Sequence, residues 1–195
     1  MTDPWLWLGL FILLAYTIEA ITGFGSIVIA LSLGAMLLPI PELLPVLVPL
    51  NVLMSGYLTC KHRQHINWHL LTSLILPLML AGTLTGYLLI PWLGAAFLKV
   101  LFGLLVIWFA GRELWRMAGG KVAAPHGQLT SRALTFSAGI THGLFASGGP
   151  LLVFALAGTQ LDKARLRATL VSVWFTLNSL LTVAFLIDGR LLPAL

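Results

Sequence analysis

A chain of 195 residues that is 59% hydrophobic and only 9% charged is not a soluble domain, in which charged residues make up about 25%; it reads as an all-α polytopic integral membrane protein. Its formal charge of +5 sits in short loops between apolar segments, the positive-inside pattern of a bilayer protein, so the nucleic-acid partner that such a charge implies in a soluble chain is excluded. The single cysteine, Cys60, excludes an intramolecular disulfide, and Met1-Thr2-Asp3-Pro4 has no basic n-region, so no cleaved signal peptide is expected.

Trp5 to Leu38 is one long apolar run, interrupted by Glu19 and by Gly23-Phe24-Gly25. A span needs about 20 residues, so the run is long for one crossing and short for two. It is either a long tilted helix or a hairpin folded back at the glycines. Pro39, Pro41 and Pro45 break it, and a second segment runs from Leu43 to Cys60. After the basic loop Lys61-His62-Arg63-Gln64-His65, the third segment covers Trp68 to Ile90, with Trp68 placed as an interfacial anchor. Pro91-Trp92 marks a turn, and the fourth segment runs from Phe97 to Ala110. A polar stretch, Gly111 to Arg132, separates it from the fifth run, Ala133 to Ala157. The charged loop Asp162-Lys163-Ala164-Arg165-Leu166-Arg167 leads to the sixth segment, Ala168 to Ile187. No polar stretch is long enough for a separate soluble domain. The expected organisation is a single transmembrane domain over 1–195, with a first repeat over 1–117, a cytoplasmic linker over 118–132 and a partial second repeat over 133–195.

The repeat reading rests on an echo. Glu19-Ala20-Ile21-Thr22-Gly23-Phe24-Gly25-Ser26 and Gly139-Ile140-Thr141-His142-Gly143-Leu144-Phe145-Ala146-Ser147-Gly148-Gly149-Pro150 both carry Ile-Thr, then glycines, then Ser. Backbone that leaves the helix at membrane depth is tolerated only where protein or a water-filled cavity receives its polar groups. Corresponding interruptions in two halves point to a transporter's binding site. The loops around Lys61, Arg112–Arg132 and Lys163–Arg167 fall on one side only if the fifth run is a re-entrant hairpin. Charge therefore favours a hairpin there; the same treatment of the first run puts the N-terminus outside, where no basic residue opposes it, and gives inverted repeats, while single crossings and repeats in one orientation are the alternative. By this symmetry the second repeat is truncated, lacking the last spans of the first.

Gly23-Phe24-Gly25 in the first run, Gly139 and Gly143 followed by Ser147-Gly148-Gly149-Pro150, and the loop with Asp162 and Ala164 leading into Ala168-Thr169-Leu170 and Asn178 resemble the sulfite exporter TauE/SafE family. The likeness covers essentially the whole chain. It implies a multi-pass carrier of the bacterial inner membrane that exports small anions, typically sulfite or organosulfonates. Family members carry a complete second repeat, so the resemblance implies that the last C-terminal spans are lacking here. The chain is then a fragment, a truncated variant or a protein completed by another copy; a homo-oligomer stays open.

The expected substrate site comprises Gly23, Phe24, Gly25, Ser147, Gly148 and Gly149, with Asn51, His142 and Asn178 as further candidates. Broken helices offer half-helix N-termini, whose free N–H groups favour an oxyanion. Gly139, Gly143 and Ser147, spaced by four, also suit close helix packing, as do Gly82 and Gly86. Glu19 and His142 are ionisable residues in apolar runs and candidates for proton coupling. His62, His65 and His69 lack a completing ligand among basic neighbours and read as a solvated loop, not a metal site. An enzyme is not expected: Ser147 and His142, five apart on one helix, point to different faces and do not make a nucleophile–base pair. No cofactor is expected, and without a Gly-x-x-x-x-Gly-Lys sequence there is no ATP-driven pump. Beside the secondary carrier stand a non-transporting membrane subunit or remnant and an anion channel.

Overall fold

The computed structural model describes residues 4–119, 127–157, 159 and 161–191. Nine α-helices are assigned among them: α1 (Pro4–Thr22), α2 (Ser26–Gly34), α3 (Ile40–His62), α4 (Trp68–Leu70), α5 (Leu76–Leu89), α6 (Ala95–Gly119), α7 (Gln128–Phe145), α8 (Gly149–Ala155) and α9 (Lys163–Ile187). A π-helical turn over Leu71–Ile75 joins α4 to α5. It precedes Pro77, which removes a backbone donor from the ladder. Among the described residues five stretches are long and apolar enough to cross a membrane: Trp5–Thr22, Ile40–His65, Trp68–Trp92, Ala95–Gly119 and Lys163–Ile187. The architecture is that of an all-α polytopic membrane protein.

Both glycine-broken runs are hairpins. In the first, α2 folds back along α1, so that Gly34 lies against the side chains of Leu8 and Leu43. In the second, the Ser131 hydroxyl near the start of α7 donates to Ala155 O at the end of α8 over 2.8 Å. The long helices that follow each hairpin, α3 and α9, pack on each other in antiparallel directions. Asn51 meets Asn178, Gly56 meets the Phe175 ring, and Asn67 N–H donates to Thr169 Oγ1. α5 and α7 run parallel at close approach through Gly82, Gly86, Gly139 and Gly143. A Cβ on Gly139 would sit 2.5 Å from Met79 O and 2.9 Å from Gly82 Cα, closer than real Cβ contacts allow. One core cluster joins α1, α2, α3 and α6 to Phe145 and includes Leu8, Leu31, Leu43, Leu47 and Phe102; the other joins α5, α8 and α9 through Met79, Leu152, Leu170 and Leu177. The outward faces carry Leu53, Ile107 and Ile187, as bilayer contact requires.

Several boundaries differ from the sequence expectation. The second segment begins at Ile40, not Leu43, because Pro41 occupies the first turn, where its missing N–H costs nothing. The helix continues through Pro45 and Pro49, and Leu47 O accepts the Tyr16 hydroxyl at 2.6 Å. α6 extends past Ala110 to Gly119, with Glu113 and Arg116 paired at i,i+3. α7 already begins at Gln128, so only part of the expected polar stretch is connection. Of that stretch, Gly120 to His126 lie outside the described residues. The charged loop 162–167 is the first turn of α9, where Asp162 is the N-cap and accepts from Arg165 N–H at 2.7 Å.

Candidate functional site

At the first break α1 ends at Thr22, and Gly23 N–H, just beyond it, donates to Glu19 O over 2.7 Å. Gly23 and Gly25 have φ of 89° and 104°, a region that glycine enters without the Cβ penalty. This turn brings the Glu19 side chain back over the start of α2. Its carboxyl accepts Ser26 N–H at 2.9 Å through one oxygen and Asn51 Nδ2–H at 3.0 Å through the other. Asn51 Nδ2 also lies 3.0 Å from Ser26 Oγ, and Asn51 Oδ1 accepts Asn178 Nδ2–H at 2.7 Å. Glu19, Ser26, Asn51 and Asn178 are all buried. They link α1, α2, α3 and α9 into one polar network.

At the second break α7 ends on Ala146, a non-glycine residue at φ 50°, ψ 29°, whose N–H closes on His142 O at 2.6 Å. The left-handed conformation costs an alanine roughly 1–2 kcal/mol. Ser147 and Gly148 follow outside the helix, and Pro150 sits in the first turn of α8.

The two breaks face each other. The Cβ position of Gly149 is 3.4 Å from the Phe24 ring and 3.5 Å from the Trp174 indole. Trp174 Nε1–H donates to Gly23 O at 3.1 Å, and Arg167 donates to Ala20 O at the end of α1. His142 stacks on Trp174, with centroids 5.7 Å apart and planes at 18°. Between the breaks lies a cavity of about 20 Å³ bordered by Glu19, Gly25, Asn51, Ser147, Gly149, Trp174 and Asn178. That is room for about one water. A smaller void of about 10 Å³ against Phe102, Val106 and Phe109 of α6 shares Val28 and Ser147 with it. Among the described residues, Glu19 is the only formally charged one that lines either void.

The predicted residues therefore fall into separate positions. Glu19, Gly25, Asn51, Ser147, Gly149 and Asn178 line the cavity, and Phe24 packs on Gly149. Gly23 makes the turn and lies against Arg167; Gly148 lies against Ala138 O and Met79. His142 is fully buried behind Trp174, with both ring nitrogens unpaired. Gly139 and Gly143 serve the α5–α7 contact. Sequence reasoning missed Trp174, Arg167 and the bonding role of Ser26. A Trp in the middle of a span, away from the interface where this residue collects, is the signal that marks Trp174.

Neither a curated protein nor a solved structure matches the chain. The family model described as Sulfite exporter TauE/SafE matches residues 8–195. With both glycine breaks and every long helix but the first turn of α1 inside that match, the chain belongs to the sulfite exporter TauE/SafE family of membrane transporters.

Proposed function

We propose that this protein is a secondary carrier of a small oxyanion, sulfite or an organosulfonate, that works by alternating access around the cavity between the two breaks. It would reside in a bacterial inner membrane. The observation that carries this reading is the meeting of Gly25 with Ser147 and Gly149, from opposite halves of the chain, at one void that Glu19, Asn51 and Asn178 also line. The antiparallel course of α3 and α9 supports inverted repeats, in which each hairpin enters from its own side.

Glu19 sets the coupling. Its carboxyl already takes the Ser26 N–H at the start of α2 and the Asn51 amide, the donors an incoming oxyanion would seek there. A carboxylate and an oxyanion 4 Å apart repel by about 4 kcal/mol at an effective dielectric of 20, a factor of several hundred in occupancy. With a proton on Glu19 that penalty disappears. The substrate and a proton then occupy the site together and move in the same direction, outward wherever the sulfite gradient exceeds the opposing proton gradient. The cavity is too small for an oxyanion as it stands, so binding requires the breaks to separate, and Val28 and Ser147, shared by both voids, border the route towards α6.

The test is uptake of radiolabelled sulfite into liposomes holding the full chain, with and without an imposed pH gradient. Saturable uptake that the gradient drives is expected from the native chain. Glu19→Gln is expected to lose the gradient's effect and to retain sulfite–sulfite exchange. Non-saturating flux would favour a channel, and no flux from folded protein would overturn the carrier.

A further inference from the structure

The buried network has a direction. An ionised carboxylate only accepts hydrogen bonds, so Glu19 fixes Asn51 with Nδ2 towards it and Oδ1 away. Asn51 Oδ1 in turn requires a donor, which is Asn178 Nδ2. Asn178 Oδ1 is thereby turned from Asn51 and is left without a partner, beside the ring of His142. The two unpaired nitrogens of that ring are buried as well. A buried acceptor left beside a buried ring with a mobile proton sets the end of a chain whose other end is Glu19.

We propose that Asn51 and Asn178 are positioning residues that carry the protonation state of Glu19 to His142 by reversing together. When Glu19 takes up a proton, the oxygen facing Asn51 becomes a donor. Asn51 turns its amide by half a turn and presents Oδ1 to Glu19 and to the Ser26 hydroxyl, whose hydrogen rotates to meet it. The other carboxyl oxygen still accepts Ser26 N–H. Asn51 Nδ2 then faces Asn178 and requires its Oδ1, so Asn178 also turns and offers Nδ2 to His142. The nitrogen of His142 that faces Asn178 must be protonated in the first arrangement and bare in the second. One proton enters at Glu19; at His142 the nitrogen facing Asn178 releases its proton to water and the other nitrogen takes one up, so the ring keeps a single proton. In both arrangements the Glu19–Asn51 and Asn51–Asn178 bonds are complete, and only the side of Asn178 that meets His142, unbonded in the structure, changes from acceptor to donor, so the chain has two states, not a gradation.

His142 stacks on Trp174, which holds Gly23 O and lies on Gly149, so the relay ends on the side chain that joins the breaks. Its meaning for transport rests on the carrier reading; its existence does not. The other titratable or charged groups nearby are engaged elsewhere. On α1, Tyr16 donates to Leu47 O; on α5, Tyr87 bonds Asp188; on α9, Arg167 donates to Ala20 O. α2 and α3 bring only Ser26 and Asn51 to Glu19.

The experiment is solid-state NMR of ¹⁵N-histidine-labelled full chain in liposomes, with His142 assigned by its loss in His142→Gln. No substrate and no transport are involved. In the native chain, His142 is expected to exchange its protonated ring nitrogen as pH falls, without a net change of ring charge. Glu19→Gln supplies an acceptor to Ser26 N–H and a donor to Asn51, the pattern of protonated Glu19. It is expected to hold His142 in the low-pH tautomer at every pH. A His142 signal that is unchanged with pH in the native chain, or that still follows pH in Glu19→Gln, would overturn the relay.

Discussion

Trp174→Phe isolates the contact by which α9 holds the first break. The phenyl ring keeps the stack on His142 and much of the packing on Gly149 but removes Nε1–H from Gly23 O, a buried bond of 3.1 Å. Leaving that carbonyl unpaired costs about 1–3 kcal/mol. In a chain of this size each kcal/mol lowers the unfolding midpoint by about 2–4 °C, so a loss of several degrees is expected in thermal unfolding of the detergent-purified protein. Gly23 lies at φ 89°, a turn held from outside by this bond and by Arg167 on Ala20 O. Sulfite affinity should therefore fall as well, because Gly25 and the Glu19 carboxyl are placed by the same turn. Trp174→Leu, which also loses the stack on His142, should cost more than Trp174→Phe on both readouts. An unfolding midpoint and an affinity unchanged in Trp174→Phe would refute the claim that the indole fixes the break.

Gly143→Ala places a Cβ against Thr83 O and 2.7 Å from Tyr87 N; this overpacking is expected to destabilise by about 1–3 kcal/mol, read by thermal unfolding. Ala146→Gly should be tolerated within about 1 kcal/mol, since relief of the left-handed penalty offsets the added chain entropy. Ala146→Val, β-branched at φ 50°, should lower the unfolding midpoint clearly below both.

The class and the breaks were legible because each leaves a local mark. Low charge and long apolar runs mark a polytopic helical protein, and the placement of Lys61, Arg112 and Lys163 at the ends of apolar segments argues for a re-entrant second hairpin before any coordinates. Asn51 and Asn178 stood out as amides in apolar segments, and they bond each other. What stayed hidden depends on which helix meets which. The spacing of Gly82 with Gly86 and of Gly139 with Gly143 is visible in the chain, but that these pairs face each other is a fact of packing. The glycines at the breaks looked like one set, yet Gly25 and Gly149 border the cavity while Gly23 and Gly148 fit against Arg167 and Ala138. The N-terminus of α2 looked open to an anion, whereas Glu19, seven residues before Ser26, folds back to occupy it. Asp162 reads as loop from the sequence because a charged hexapeptide at a span's edge does not distinguish a loop from a capped first turn.

In the proposed carrier the anion binds where the two glycine breaks meet. A structure of the full chain with selenite, the heavier analogue of sulfite, located by its anomalous scattering, tests this without recourse to flux. One peak is expected between Glu19, Ser147 and Asn178, with the breaks moved apart to admit it. A peak among the basic residues Lys61 to His65, or none at a concentration that saturates sulfite binding, would contradict it.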